Sequence, residues 1–400
     1  MADAGDAALY DYLLTTTAIR ERARRFFEAA ERDRLAHFRL NLSRLPAITD
    51  RVIAVTKASY PDLRAIPYHG RYRHFDAGDV PRLQRFQQSL AGLSEDDKLR
   101  ARTELVITSV LLDAGAGPTW VYREADGRSY GRSEGLAVAS YHWFLSGGFS
   151  SHGHASADAA GLSRITAEQL GRAFQVSASN PLTGLEGRAR LLSKLGEVVE
   201  STPAYFGGRL GDLGLWLKAA AVGQRLAASS ILAAVLGALG SIWPGRETLA
   251  GKPLGDVWRH SQFGLVPFHK LSQWLSYSLL EPLEAAGITV TELGALTGLP
   301  EYRNGGLFLD GGVLSLRDES AREREHAVAS DLVIEWRALT VALLDLLASD
   351  VRTELGLSGD ELPLACVLQG GSWSAGRAIA AELRPSGAPP LRIQSDGTVF

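Results

Sequence analysis

The sequence predicts a mainly α-helical fold with a few short β-hairpins. Three observations carry this reading. Apolar residues recur at helical spacing through most of the chain, runs that alternate apolar and polar residues are few and short, and no strand–helix–strand alternation of the kind that builds a parallel sheet appears. Within the first forty residues Leu9, Tyr12, Leu13, Ile19, Phe26 and Phe27 oppose a face rich in Arg and Glu, the pattern of an amphipathic surface helix. Ser94-Glu95-Asp96-Asp97 and Thr166-Ala167-Glu168-Gln169 mark two further helix starts, because a hydroxyl can cap the end and an acidic or amide side chain can reach back. Trp120 to Glu124, the turn Ala125-Asp126-Gly127 and Arg128 to Tyr130 read as a hairpin. Arg225 and Arg246 bracket twenty uncharged residues, long enough for a membrane span. Their large members, Ile231, Leu232, Val235, Leu236, Leu239, Ile242 and Trp243, fall on one stripe with Ala, Ser and Gly opposite, which predicts a helix buried between neighbours. Val313 to Leu316 reads as a short strand, and 331–348 is apolar almost all round, as a core helix is. Composition breaks only at the Gly/Ser/His-rich 146–156 and the Pro/Gly-rich 384–397. The chain therefore reads as a single large helical unit over 1–400, open to division into two lobes meeting near 160–200, with 384–400 as a C-terminal extension.

Composition narrows the function classes. With 46% hydrophobic and 22% charged residues over 400 positions, the chain lies among globular proteins and far from disordered ones. Lys+Arg 42 against Asp+Glu 45 leaves a net charge of −3 and no basic excess to drive sequence-independent nucleic-acid binding, so no nucleic-acid partner is expected. Cys366 stands alone and can form neither an internal disulfide nor a cysteine-based zinc site, which suits a reducing compartment. Met1 to Asp6 is acidic and lacks a signal peptide's apolar core, so a cytoplasmic protein with no membrane partner is expected.

Residues suited to chemistry concentrate between Phe263 and Asp310. Phe263 to Trp274 reads as a helix start in which Lys270 sits among apolar neighbours, either snorkelling to the surface or aimed into a pocket. In Leu296 to Leu307, Gly298 and Pro300 predict one tight turn after a short helix, and Gly305-Gly306 a second, holding Glu301, Tyr302 and Arg303 between them. A carboxylate beside an arginine suits cleavage of a sugar bond: the anion opposes charge developing on the ring and the guanidinium grips a phosphate. The same pair also fits an ordinary surface ion pair. Leu111 to Trp120 delivers Asp113 from a helix end into a glycine-rich bend, which either admits a ligand or merely ends the helix. The glycines of Gln369 to Arg377 precede a predicted helix and would present N–H groups to an anion. That segment is no P-loop, lacking Gly-Lys-Ser/Thr, and it misses the serine-hydrolase elbow. His152-Gly153-His154 in its Gly/Ser loop reads as solvated histidines rather than a metal site.

Gly131 to Ala137, Phe263 to Gln273, Leu296 to Leu309, Gln369 to Arg377 and Ser395 to Phe400 together resemble the family of the fourth protein of the pyrimidine-ring uracil catabolism pathway of yeasts and bacteria, long catalogued as a domain of unknown function. A more remote likeness reaches the chemistry. Phe268-His269-Lys270-Leu271-Ser272-Gln273 is similar to the Phe-Tyr-Lys-basic-Ala-Gln signature of the queuosine salvage N-glycosidases, and Leu296 to Arg303 to their Leu-Thr-x-x-x-Asp-Tyr-Arg. Leu112-Asp113 with Trp120, and Pro181-Leu182 with Arg188 to Leu192, resemble further shared segments. That family has a helical fold related to DNA glycosylases of the helix-hairpin-helix kind and releases a base from a 5′-phosphorylated ribose.

The resemblance implies an N-glycosidase that hydrolyses ribosylurea 5-phosphate to urea and ribose 5-phosphate, with a phosphorylated riboside as partner and no metal or other cofactor. It implies Glu301 in the place of a catalytic aspartate, with Asp113 and Asp310 as the carboxylates to consider beside it. Lys270 and Arg303 would bind the phosphate, and Tyr302, His269, Trp120 and Glu134 would complete the substrate contacts, Trp120 as an apolar wall. The departure is Glu for Asp, which moves the carboxylate by about a bond length. Two other classes fit the sequence: an amidohydrolase acting on the urea group, which would normally need a metal cluster, and a non-catalytic sensor of a pathway intermediate.

Overall fold

The computed structural model describes residues 4–394 apart from 114, 118, 244–246 and 385. It is mainly helical, its short strands paired two by two. Several helices begin where the sequence offers a cap. Ser94 Oγ accepts from Asp97 N to start Glu95–Leu111, Thr166 and Gln169 form a reciprocal box ahead of Ala167–Ala173, and Ser330 caps Asp331–Leu355. Asp331–Leu355 is the central core helix, packed against Thr16–Glu31, Leu45–Ser59 and Tyr302–Asp310. On the other side Lys270–Glu284 lies against Glu95–Leu111 and Ala228–Leu239. One continuous apolar cluster runs from Ile19 to Leu391, so both halves of the chain share a core. The hairpin is present as Val121–Arg123 against Ser129–Gly131, and Leu314–Leu316 is a strand.

Four local expectations need correction, while the uncharged stretch after Arg225 forms the buried helix that its stripe predicts. The N-terminal helical reading ends early: Ala4–Leu13 and Thr16–Glu31 are separate helices, and Phe38–Leu40 is a strand that buries Phe38 against the antiparallel Leu314–Leu316. Gly264–Pro267, read as part of a helix start, pairs antiparallel with Val257–His260, and the helix begins only at Lys270. Gly305-Gly306 makes no turn. Both sit inside Tyr302–Asp310, where a Cβ on Gly305 would lie 2.8 Å from the Trp336 ring, so close helix packing, not bending, requires glycine. Gln369 to Arg377 is likewise internal: a π-helical turn, Leu368–Ser372, continues into Trp373–Leu383, and a Cβ on Gly371 would meet Val52 O at 2.6 Å. Its N–H groups serve the helix and not an anion. The uncharged stretch after Arg225 yields the twelve-residue Ala228–Leu239 with Ile231, Leu232, Val235 and Leu239 buried; no described helix is long and apolar enough to cross a membrane. Arg246 and the Ser395 to Phe400 motif lie outside the described residues.

Candidate functional site

Where helices begin and end against one another, a cleft of about 380 Å³ opens, lined by His69, His74, Asp113, Lys270, Glu301 and Arg303 among others. Three helix N-termini reach it: Arg132–Leu145, Lys270–Glu284 and Tyr302–Asp310. Their aligned dipoles make its electrostatic potential favourable to anions.

Glu301 is the N-cap of Tyr302–Asp310. Its extended backbone turns the carboxylate back on the helix start, where Oε1 accepts from Asn304 N at 2.6 Å and Oε2 from Arg303 N at 2.7 Å. Each oxygen keeps a lone pair beyond its cap bond. Burial raises the proton affinity of this carboxyl above the ordinary glutamate value, against the two N–H bonds and the charges of Lys270 and Arg303.

Asp113 follows the last turn of Glu95–Leu111, and its two oxygens receive Ser133 Oγ at 2.7 and 2.8 Å. Behind it lies the fully buried Arg71, with Nη1 at 3.1 Å from Oδ1 and Nε donating to Ser109 at 2.6 Å. Burial alone would raise the Asp113 pKa; Arg71, His74, Ser133 and Lys270 outweigh it and hold the carboxyl below its ordinary value. One cleft thus holds two carboxyls displaced in opposite directions.

Lys270 takes its place from the fold beneath it. His269 is left-handed at φ 45, its ring buried with Nε2 donating to Leu13 O at 2.9 Å, and Lys270 N donates to Asp256 Oδ2 at 2.9 Å. Asp256 is itself fixed by Arg337 at 2.8 and 2.7 Å and, despite burial, is held down at about 2 by that guanidinium. The Lys270 ammonium has no ion-pair or hydrogen-bond partner among the described residues. Burial lowers its pKa, opposed by the nearby Glu301.

The far wall is the segment after Trp373–Leu383. Arg384 grips Asp310 through two bonds of 2.9 and 2.5 Å, Gly387 O accepts from Arg303 Nη1 at 2.8 Å, and Ser386 O accepts from Arg132 Nη2 at 3.3 Å. Arg303 is almost fully buried with its Nε unpartnered, and its guanidinium lies 4.8 Å from the Tyr302 ring centroid.

Of the residues proposed from sequence, Asp113, Lys270, Glu301, Tyr302 and Arg303 line this cleft together. Four stand elsewhere. Asp310, at the other end of its helix, is consumed by Arg384. His269 lies below, beside a hollow of about 20 Å³ with room for no more than water. Trp120 is buried in the core, its Nε1 donating to Phe174 O at 3.0 Å, so it forms no cleft wall. Glu134 turns to Arg377 at 3.2 Å, next to the cleft without lining it. His152 and His154 are exposed, and among the described residues no three His, Cys, Asp or Glu side chains are grouped to hold a metal ion. Sequence reading missed His69, His74, Arg132, Ser133, Trp274 and Trp373, which also line the cleft, and Arg71 behind it. For His69, Arg71 and His74 the available signal was a cluster of basic and aromatic residues, Tyr68 to Phe75, with no recognisable motif, whereas Arg132, Ser133, Trp274 and Trp373 stand inside segments already singled out but not as site residues.

Comparison with known proteins adds an independent finding. The model of a family described as "Protein of unknown function (DUF1688)" matches residues 12–400. "Protein urg3" of Schizosaccharomyces pombe is 43% identical over 399 residues, covering 97% of this chain and 98% of that protein. "Uracil catabolism protein 4" of Lachancea kluyveri is 38% identical over 435 residues, covering 97% and 98%.

Proposed function

The chain belongs to that DUF1688 family, and on this premise we propose that it serves uracil catabolism as an N-glycosidase that splits ribosylurea 5-phosphate into urea and ribose 5-phosphate. The pathway is suggested by the name of the Lachancea kluyveri relative, and the reaction class by the likeness to the queuosine salvage glycosidases. The observation that carries the reading is a single cleft in which two carboxyls are driven apart in proton affinity beside an excess of positive charge. Arg132, Lys270 and Arg303 line it against Asp113 and Glu301, and Asp113 is already balanced by Arg71. An anionic substrate with a sugar that becomes cationic fits this balance.

In the proposed reaction the C1–N bond breaks with its electron pair going to the urea nitrogen, which takes up a proton, and water bonds to C1 and gives up a proton. The Glu301 carboxylate opposes the charge at C1 and receives the proton of water. Lys270 responds to the charges of both carboxylates, and burial makes its ammonium a better acid, which favours a role at the departing nitrogen over one at the phosphate. Arg303 and Arg132, both tied to the 386–387 segment, are the phosphate ligands. Asp113, kept ionised, accepts from the ribose hydroxyls.

The test is to incubate purified protein and a chelator with ribosylurea 5-phosphate in heavy-oxygen water. Urea and ribose 5-phosphate are expected, with label on C1 at early times, before exchange through the open-chain aldehyde. Label in carbon dioxide with ammonia as co-product would transfer attack to the urea carbon and overturn the reading. Binding without any product would make the protein a sensor.

A further inference from the structure

Two histidines in the cleft have no part in the chemistry above. His69 and His74 both line it, and neither Nε2 has a partner among the described residues. Their other nitrogens are fixed from behind. His69 Nδ1 lies 3.0 Å from Gln369 Oε1, while the amide nitrogen of Gln369 donates to Tyr60 Oη at 3.1 Å. An amide oxygen only accepts, so Nδ1 carries the His69 proton, and the uncharged ring offers a lone pair at Nε2. His74 Nδ1 lies 3.4 Å from Arg71 Nη1, a group that only donates. Ser133 Oγ is 3.3 Å away with its single hydrogen held by Asp113, and that weak contact is outweighed by the full charge of Arg71. Nδ1 of His74 therefore keeps its lone pair, and its proton sits on Nε2.

Both rings are uncharged near neutrality. Burial lowers His69 below its ordinary pKa, and burial with the charge of Arg71 brings His74 to about 4. The cleft wall accordingly presents one acceptor and one donor without net charge. The rings stand near two indoles: His69 is 6.3 Å and His74 6.4 Å from the Trp373 ring, and His74 is 5.9 Å from Trp274. A flat group carrying both an N–H and a C=O, held against an aromatic face, meets every feature of this wall. The cationic wall at Arg303 and Arg132 is suited to the opposite end of the ligand.

We propose that His69 and His74 form the subsite for the planar ureido group of the substrate, His69 Nε2 accepting from its N–H and His74 Nε2 donating to its C=O. The proposal rests on the glycosidase reading for the identity of the whole ligand, but its chemistry, an uncharged amide-like edge, follows from the two rings alone.

The test uses the full chain in a Glu301→Gln background, so that ribosylurea 5-phosphate binding is read while turnover is slowed about 100-fold or more. Adding His69→Phe or His74→Phe should weaken ribosylurea 5-phosphate by about tenfold or more and ribose 5-phosphate by less than about threefold. Equal losses for both ligands would overturn the subsite. Histidine nitrogen NMR on the wild-type protein gives a second reading independent of any variant's folding. His69 should be protonated at Nδ1 and His74 at Nε2, and N-methylurea should shift both Nε2 resonances; the opposite tautomers, or no shift, would overturn the pairing. Failure of the wild-type protein to release urea, with these ratios and tautomers as expected, would sink the glycosidase reading alone and leave the ureido subsite standing.

Discussion

Glu301 carries two duties on one carboxylate, and they can be separated by measurement. It caps a helix with both oxygens, so Glu301→Gln puts an amide NH₂ against one backbone N–H and should cost about 1 kcal/mol of stability. If the carboxylate also opposes charge at C1, the same variant should lose about 100-fold or more in turnover while binding ribose 5-phosphate within a few-fold of wild type. A melting curve beside the two assays distinguishes the duties, and near-normal turnover would transfer the role to Asp113. Because burial raises this carboxyl and its ionised form is the working one, kcat/KM should climb with pH through a value above the ordinary glutamate range. That limb should vanish in the Gln variant. At this scale the sequence pointed to Glu301, Lys270 and Arg303 because they stand in motifs. His69, His74 and Arg71 escaped notice because each is ordinary in its own segment and gains meaning only from neighbours 38 to 300 positions away, such as Ser109 and Gln369.

Elements position the cleft by where they start, and one segment closes its side. The stretch after Trp373–Leu383 is anchored at Arg384 by Asp310, and two carbonyls beyond it hold Arg132 and Arg303. Asp310, a catalytic candidate by sequence, is better understood as the anchor of this wall. Asp310→Asn should therefore weaken ribose 5-phosphate binding by about tenfold through the loosened arginines, with less effect on turnover at saturation. Hydrogen exchange at 386–391 should rise in step, and Arg384→Ala should reproduce both changes; a variant with unaltered binding would contradict this role. Glycine shows why element boundaries were hard to place. At Gly305 the sequence suggests a turn and at Gly371 an anion-binding segment ahead of a helix, whereas both sit inside helices pressed against Trp336 and Val52. Whether a glycine supplies a bend or a close approach depends on what lies across from it, which a local reading does not contain.

Across the whole molecule, stability at neutral pH is shaped by buried charge. Glu104 is fully buried on the Glu95–Leu111 helix, paired with Arg209 through two bonds of 2.9 Å, and burial raises it to about 7 against that arginine. In the native state it keeps a proton that the unfolded chain has lost above about 4.5, so its contribution falls as pH rises from there through about 7. Below that window both states are protonated and above it both are ionised, so the contribution is flat on either side. Urea unfolding at pH 5 and pH 8 should show a smaller pH-dependent loss in Glu104→Gln than in wild type; equal losses would assign the effect to other groups. Periodicity, capping and long motifs are local properties of the chain, so the mainly helical class, the caps at Ser94 and Thr166, the hairpin at 121–131 and the family were all legible before any folding was known. The sequence also nominated Asp113, Lys270 and Glu301. Only the tertiary structure brought those three into one cleft and put Asp310 with Arg384. Tertiary structure also seated Trp120 in the core and added the two histidines, because burial, charge balance and proton affinity are set by groups distant in sequence that packing makes neighbours.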